Sequence, residues 1–249
     1  MPRRLLSRCA ALAALLFATA LDAAEARLAV ASNFLPTARQ LVERFQQQTG
    51  HHLRISSASS GKLYAQIRHA APFDLFLSAD ARRPERLATE GFARPENVRP
   101  YAIGQLVFWT PKQKGDAREC RARLLEGNLR LALANPRTAP YGSAAWETLK
   151  ALGFNPAQLR LIQGENVAQA FTFVASGGAD GGFVAASQLT GTRQEGCRWP
   201  VPESLHAPIV QKAVLLHRGE GNTAARAFFG FLFSPEARTG IERAGYLLP

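Results

Sequence analysis

The stretch Leu28-Ala29-Val30-Ala31-Ser32-Asn33-Phe34-Leu35-Pro36-Thr37 passes an apolar strand-like run straight into a helix start, and Leu53-Arg54-Ile55-Ser56-Ser57-Ala58-Ser59-Ser60-Gly61-Lys62 repeats the arrangement. After the first junction Pro36 stands in an opening turn, Ala38, Leu41, Val42 and Phe45 recur at helical spacing, and Gly50 provides the stop. Proline near the start and glycine past the end, with apolar residues at this period, predict a helix over 36–49. Leu63, Tyr64 and Ile67 mark a second helix after Ser60. The first turn of a helix carries unpaired N–H groups and about half a positive charge from the macrodipole. Hydroxyl-rich strand-to-helix junctions are therefore receptors for anions.

Downstream, strand-like runs at 74–79, 101–110, 129–134, 159–163, 182–185 and 209–217 alternate with helix-like runs at 83–90, 143–152, 167–175, 223–233 and 235–244. Such alternation predicts an α/β protein with parallel-rich sheets flanked by helices. The runs at 101–110 and 209–217 are the longest, and several elements separate them. They read as crossover hinge strands between two lobes, one built from 27–104 plus 213–249 and the other from 105–212. In this architecture ligands bind beyond the carboxyl ends of the strands. Asn135-Pro136-Arg137-Thr138-Ala139-Pro140-Tyr141-Gly142-Ser143 and Gly164-Glu165-Asn166-Val167 both fall at that end of the second lobe. Asn166 reads as an N-cap, which leaves Val167 to present a helix-start N–H.

The N-terminus reads as an export signal. Arg3, Arg4 and Arg8 precede an apolar run at 10–20, shorter than the roughly 20 residues a membrane span needs, and Ala24-Glu25-Ala26 offers a small-x-small cleavage pattern. Residues 1–26 are assigned to the signal peptide, with Ala18-Thr19-Ala20 as a second cleavage pattern. Removing them takes away three basic and two acidic residues, so the formal charge falls from +11 to +10. The basic residues are scattered, without the clustering or aromatic interleaving of a nucleic-acid face. Cys120 and Cys197 survive cleavage. An even pair in an oxidising compartment is a disulfide candidate, with two free buried thiols as the alternative. Neither cysteine, and none of the five histidines, has a partner at metal-ligand spacing.

Taken in order, Val30-Ala31-Ser32-Asn33-Phe34-Leu35, Ser56-Ser57-Ala58-Ser59-Ser60-Gly61, Ala71-Pro72-Phe73-Asp74-Leu75-Phe76-Leu77-Ser78-Ala79-Asp80, the two second-lobe junctions, and Ala175-Ser176-Gly177 through Gly182-Phe183-Val184-Ala185 resemble the periplasmic molybdate-binding proteins of ABC transporters. The resemblance runs from about residue 27 to the C-terminus. It implies two hinged α/β lobes that close on a tetrahedral dianion. The implied protein captures molybdate, and tungstate with it, and hands the ion to a permease driven by an ATPase. No covalent chemistry and no cofactor are implied, and the molybdenum is held as its oxyanion without direct side-chain coordination. A monomer is expected. The family's binding positions correspond to Ser32, Asn33, Ser60, Tyr141 and the backbone of Val167. Some members carry a binding tyrosine on the late strand, where this chain has Ala185; here Tyr141 supplies the phenol.

The residue chemistry agrees with that reading. Ser and Tyr hydroxyls, the Asn amide and backbone N–H groups all donate. A fully deprotonated tetrahedral dianion needs donors only, and no Asp or Glu is among the matched positions; Glu165 is the nearest and is expected to point away. Two other readings stand beside it: a binding protein for another tetrahedral oxyanion such as sulfate, and an exported serine hydrolase. The hydrolase rests on Ser59-Ser60-Gly61-Lys62, which spells the Ser-x-x-Lys of penicillin-recognising enzymes, but the companion Ser-Asp-Asn and Lys-Thr-Gly motifs are absent.

Overall fold

The computed structural model describes residues 23–190 and 195–249. Most of the proposed signal peptide, residues 1–22, lies outside the described residues. In chain order the first elements are β1 (Glu25–Ala31), α1 (Leu35–Thr49), β2 (His52–Ala58), α2 (Ser60–Arg68), β3 (Leu75–Leu77), α3 (Arg82–Thr89) and β4 (Ala93–Gly104). There follow β5 (Leu106–Thr110), α4 (Ala117–Leu125), β6 (Arg130–Ala134), α5 (Pro140–Ala151), β7 (Arg160–Gly164), α6 (Val167–Ala175), β8 (Gly181–Ala185), α7 (Ala186–Leu189) and β9 (Cys197–Pro200). The chain closes with β10 (Ile209–Leu216), α8 (His217–Glu220), α9 (Thr223–Phe231) and α10 (Pro235–Arg243).

Among the described residues the strands form two five-stranded sheets, ordered β2-β1-β3-β10-β4 and β7-β6-β8-β5-β9. Each is mixed. In the first, β1 pairs parallel with β2 and β3, while β10 runs antiparallel to β3 and β4. In the second, β6 pairs parallel with β7 and β8, while β5 runs antiparallel to β8 and β9.

Both faces of each sheet are covered, which is why the central strands read as nearly unbroken apolar runs. Leu28 and Val30 of β1 face a core with Phe34, Leu41, Phe45 and Phe228, while Ala29 faces Leu63, Ile67 and Phe76 on the other side. In the second sheet Leu106 and Phe108 face one core with Leu131 and Leu149, and Val107 and Trp109 face another with Val174 and Val184. This alternation is the period-2 geometry of a strand buried on both sides.

The strands at the crossings and at the N-terminus refine the sequence reading. The run at 101–110 is not one strand: β4 ends at Gly104 in the first sheet and β5 begins at Leu106 in the second, so the chain crosses between the sheets at Gln105. The return crossing lies between Pro200 and Ile209, and all of β10 belongs to the first sheet, its register opening with Ile209 opposite Gly104. Residues 209–212, grouped above with the second lobe, therefore pair in the first. At the N-terminus, Glu25 and Ala26 were assigned to the leader but are the first two residues of β1, paired with His52 and Leu53, and Ala26 is fully buried.

Candidate functional site

β1 ends in a tight turn. Ser32 N–H donates to the Ala58 carbonyl at 3.0 Å and Phe34 N–H to the Ala31 carbonyl at 2.9 Å. The buried Phe34 ring packs edge-on against Tyr101 and Tyr246, which pins the turn. Between these anchors the Asn33 N–H has no partner among the described residues. At the next junction Ser59 caps α2, its Oγ accepting from Lys62 N–H at 3.4 Å, and Gly61 N–H donates to the Thr138 carbonyl at 2.8 Å. The Ser60 N–H is left over. Ser60 Oγ accepts from Ala79 N–H at 2.9 Å. A hydroxyl has one hydrogen, and with the oxygen already engaged by a donor, that hydrogen is available to a ligand.

The second half mirrors this. α5 begins at Pro140, which has no N–H, and Ala139 caps it without a side-chain bond, so Tyr141 N–H is unpartnered among the described residues. Asn166 caps α6 by accepting from Gln169 N–H at 3.1 Å, which leaves Val167 N–H free at the helix start. The Tyr141 phenol is buried, and burial holds its pKa well above the ordinary tyrosine value. It is a hydrogen-bond donor throughout the working pH range.

These groups meet in one cavity between the halves. Ser32, Asn33, Ser59 and Ser60 line it from the first, and Tyr141 and Val167 from the second, with Ala31, Ala79, Ala139 and Pro140 completing the wall. The space is small, with room for roughly one water molecule. The wall contains no Lys, Arg, His, Asp or Glu. Its polarity comes from helix N-termini and hydroxyls, an arrangement suited to an anion that accepts hydrogen bonds on every side. A wider recess of about 350 Å³ adjoins it, sharing Ala79, Ala139 and Pro140 and carrying Asp80, Arg82, Arg83 and Glu147. That recess mixes both signs of charge, and Asp80 and Arg83 are paired with each other.

The five positions matched from sequence all line this one cavity. The Asn33 amide already has partners within the protein. Its Nδ2 donates to Gln211 Oε1 at 2.9 Å and to Tyr246 Oη at 3.2 Å, whereas its backbone N–H has no partner among the described residues. Glu165 is absent from the wall; its carboxylate accepts from Lys62 Nζ at 2.6 Å across the halves. Lys62 is also the residue that a Ser59 hydrolase would need as its base. Ser59 was read only as an alternative nucleophile and as part of a motif, yet it lines the cavity. Gln211 was not singled out at all. It is fully buried beneath the Tyr141 phenol, and no local pattern marks it. Among the described residues no cluster of three His, Cys, Asp or Glu side chains could hold a metal ion. Cys120 and Cys197 are joined as a disulfide with Cα atoms 5.4 Å apart, away from the cavity.

Residues 26–247 match the family described as bacterial extracellular solute-binding proteins. The chain is 41% identical over 240 residues to the molybdate-binding protein ModA of Rhodobacter capsulatus, covering 94% of this chain and 93% of that one. It is 30% identical to ModA of Escherichia coli (strain K12), over 95% of each chain. The solved structure of the Azotobacter vinelandii periplasmic molybdate-binding protein superposes with a TM-score of 0.83 at 40% identity, covering 90% of this chain and 99% of that one.

Proposed function

The chain belongs to the bacterial extracellular solute-binding proteins, among the molybdate-binding proteins ModA, and from that premise we propose that it captures molybdate, and tungstate with it, for import by an ABC transporter. Proteins of this group are transport receptors and not enzymes. The observation that carries the reading is the charge-free cavity in which unpartnered N–H groups of Asn33, Ser60, Tyr141 and Val167 converge with the hydroxyls of Ser32, Ser60 and Tyr141 from both halves of the molecule.

A molybdate ion carries four oxygens and no proton at neutral pH, so every one of those donors finds an acceptor. Each hydrogen bond to a charged group contributes about 1.5–3 kcal/mol, and the donors are already held in place by the caps and turns described above, which spares most of the ordering cost of binding. Hydrogen phosphate would present a proton to a wall that offers it no carboxylate. A tetrahedral oxyanion is several times larger than a water, so the halves must part to admit it and close again around it. The two crossings, at Gln105 and between Pro200 and Ile209, are the segments that would flex.

The receptor works in the periplasm as a monomer, exported by its N-terminal signal and docking in its closed form on a permease coupled to an ATPase. It requires no cofactor. Parallel calorimetric titration with molybdate, tungstate, sulfate and phosphate tests the ligand. Tight binding of the first two, with weak or no binding of phosphate, is the expected result. Tight phosphate binding with no response to molybdate would overturn it.

A further inference from the structure

We infer that Gln211 is a positioning residue: it aims the Tyr141 hydroxyl hydrogen into the cavity, and so makes the phenol an obligate donor to the bound anion. The inference rests on the oxyanion reading of the site and adds the device that sets the polarity of one of its donors.

The hydrogen bonds around Gln211 orient its amide. Tyr246 O–H donates to the Asn33 backbone carbonyl at 2.8 Å. Its single hydrogen is spent there, so Tyr246 Oη acts as an acceptor toward the Asn33 side chain, and the atom facing it at 3.2 Å is the amide nitrogen. That nitrogen's second hydrogen goes to Gln211 Oε1 at 2.9 Å. Tyr101 O–H lies 3.1 Å from the same oxygen and 3.2 Å from the Ser78 carbonyl, with one hydrogen to share between them. The Asn33 donor fixes the oxygen of the Gln211 amide, because a flipped amide would set its nitrogen against the Asn33 nitrogen, donor against donor. Gln211 Nε2 is thereby turned toward Tyr141 Oη, to which it donates at 3.4 Å. The phenol oxygen thus receives a hydrogen from Gln211, which leaves its own hydrogen for another acceptor, and Tyr141 is one of the residues that line the cavity.

The fold protects this contact. Gln211 has no exposed surface. Gly104, at the end of β4, lies so close that a Cβ there would overlap Tyr141 Oη and come within 2.7 Å of Gln211 Nε2. Gln211 sits in the first sheet and Tyr141 in the second half, so the relay also spans the closing interface. A glutamine is suited to this position because it both accepts and donates; a carboxylate would accept from the phenol and draw its hydrogen away from the ligand.

The test is a double-mutant cycle on the full-length exported protein, with Gln211→Met and Tyr141→Phe, read as molybdate affinity by calorimetry. Gln211→Met is expected to weaken binding about tenfold beside Tyr141 and by less than about twofold in the Tyr141→Phe background, because the hydroxyl it acts on is gone. Equal losses in both backgrounds would overturn the proposal, since a merely structural glutamine would cost the same with or without the hydroxyl. Should the methionine variant fail to fold, Gln211→Asn, which keeps a buried amide but draws its nitrogen back from Tyr141, runs the same cycle with the same two outcomes. The unmutated protein separates the two questions. If it binds a different oxyanion and not molybdate, the ligand assignment falls, and the cycle is then read with the anion that binds.

Discussion

The backbone N–H of Gly61 donates to the carbonyl of Thr138 at 2.8 Å, joining the N-terminus of α2 in one half of the molecule to the loop before α5 in the other. Lys62 to Glu165, at 2.6 Å, and Arg83 to the Arg137 carbonyl, at 3.2 Å, span the same seam. A Cβ on residue 61 would stand 2.9 Å from both the Cα and the carbonyl oxygen of Thr138, backbone atoms that cannot swing aside. Gly61→Ala is therefore expected to hold the halves apart and weaken molybdate binding about tenfold or more, while melting without ligand changes little because alanine favours the helix. Calorimetry beside a thermal melt checks both. Lys62→Ala makes the contrast: its ion pair is solvent-exposed and should cost less than about 1 kcal/mol of binding energy. Unchanged affinity in Gly61→Ala would show that the seam is not part of the bound form.

Ser60 serves the ligand and the scaffold with one oxygen. Ser60→Ala removes a donor from the cavity and leaves the Ala79 N–H without its acceptor. Binding should weaken by about 1–3 kcal/mol, with a loss of fold stability of the same order. Titration and chemical denaturation of the same variant measure the two effects; a full-affinity Ser60→Ala protein would remove Ser60 from the ligand set.

The disulfide ties α4 to the edge strand β9 over a sequence separation of 77 residues. In the chain-entropy account a loop of this size contributes on the order of 4 kcal/mol by restricting the unfolded chain. The Cys120→Ala/Cys197→Ala double variant should melt several degrees lower and bind molybdate as before, because neither residue lines the cavity. A large affinity loss would mean that the second half needs the cross-link to hold Tyr141 and Val167 in place.

Burial raises the pKa of the phenols of Tyr101, Tyr141 and Tyr246 above the ordinary tyrosine value. In the unfolded chain they release their protons near pH 10, roughly. Above that pH the folded form binds more protons than the unfolded form, so unfolding becomes easier as pH rises; below it these groups contribute no slope. Stability should fall steeply beyond about pH 10, while molybdate affinity stays level between about pH 7 and 9, where Tyr141 keeps its hydrogen. Affinity that declines within that window would show that a group other than a buried, protonated phenol controls binding there.

β1 starts at Glu25, whose carbonyl accepts from Asn222 Nδ2 at 2.7 Å and whose carboxylate pairs with Arg54 at 2.9 Å. Cleavage after Ala26 would remove the first two rungs of the β1–β2 ladder. N-terminal sequencing of the exported protein should find a start at or before Glu25, as processing after Ala20 would give. A start at Arg27 would show that the ladder forms without its first two residues.

Much of this molecule could be read from short stretches. Helix α6 follows from Asn166 as a cap and the apolar spacing behind it, and the hydroxyl-rich ends of β1 and β2 announce anion-binding helix starts, because capping and periodicity are local. α4 was missed in a charged stretch, although Asp116 and Glu119 form a capping box. Its mixed surface gave no clear apolar stripe. β9 is four residues long and carries little pattern.

What the chain alone determined is the set of donors: which N–H groups a helix start must leave unpaired and which hydroxyls stand beside them, since these depend on neighbours a few positions away. What only the folded molecule decided is where each donor points. The Asn33 amide meets partners 178 and 213 residues distant, and Gln211 reaches Tyr141 across 70 residues. Such pairings are made by sheet register and by the docking of the two halves, and they leave no trace in the spacing of any single segment.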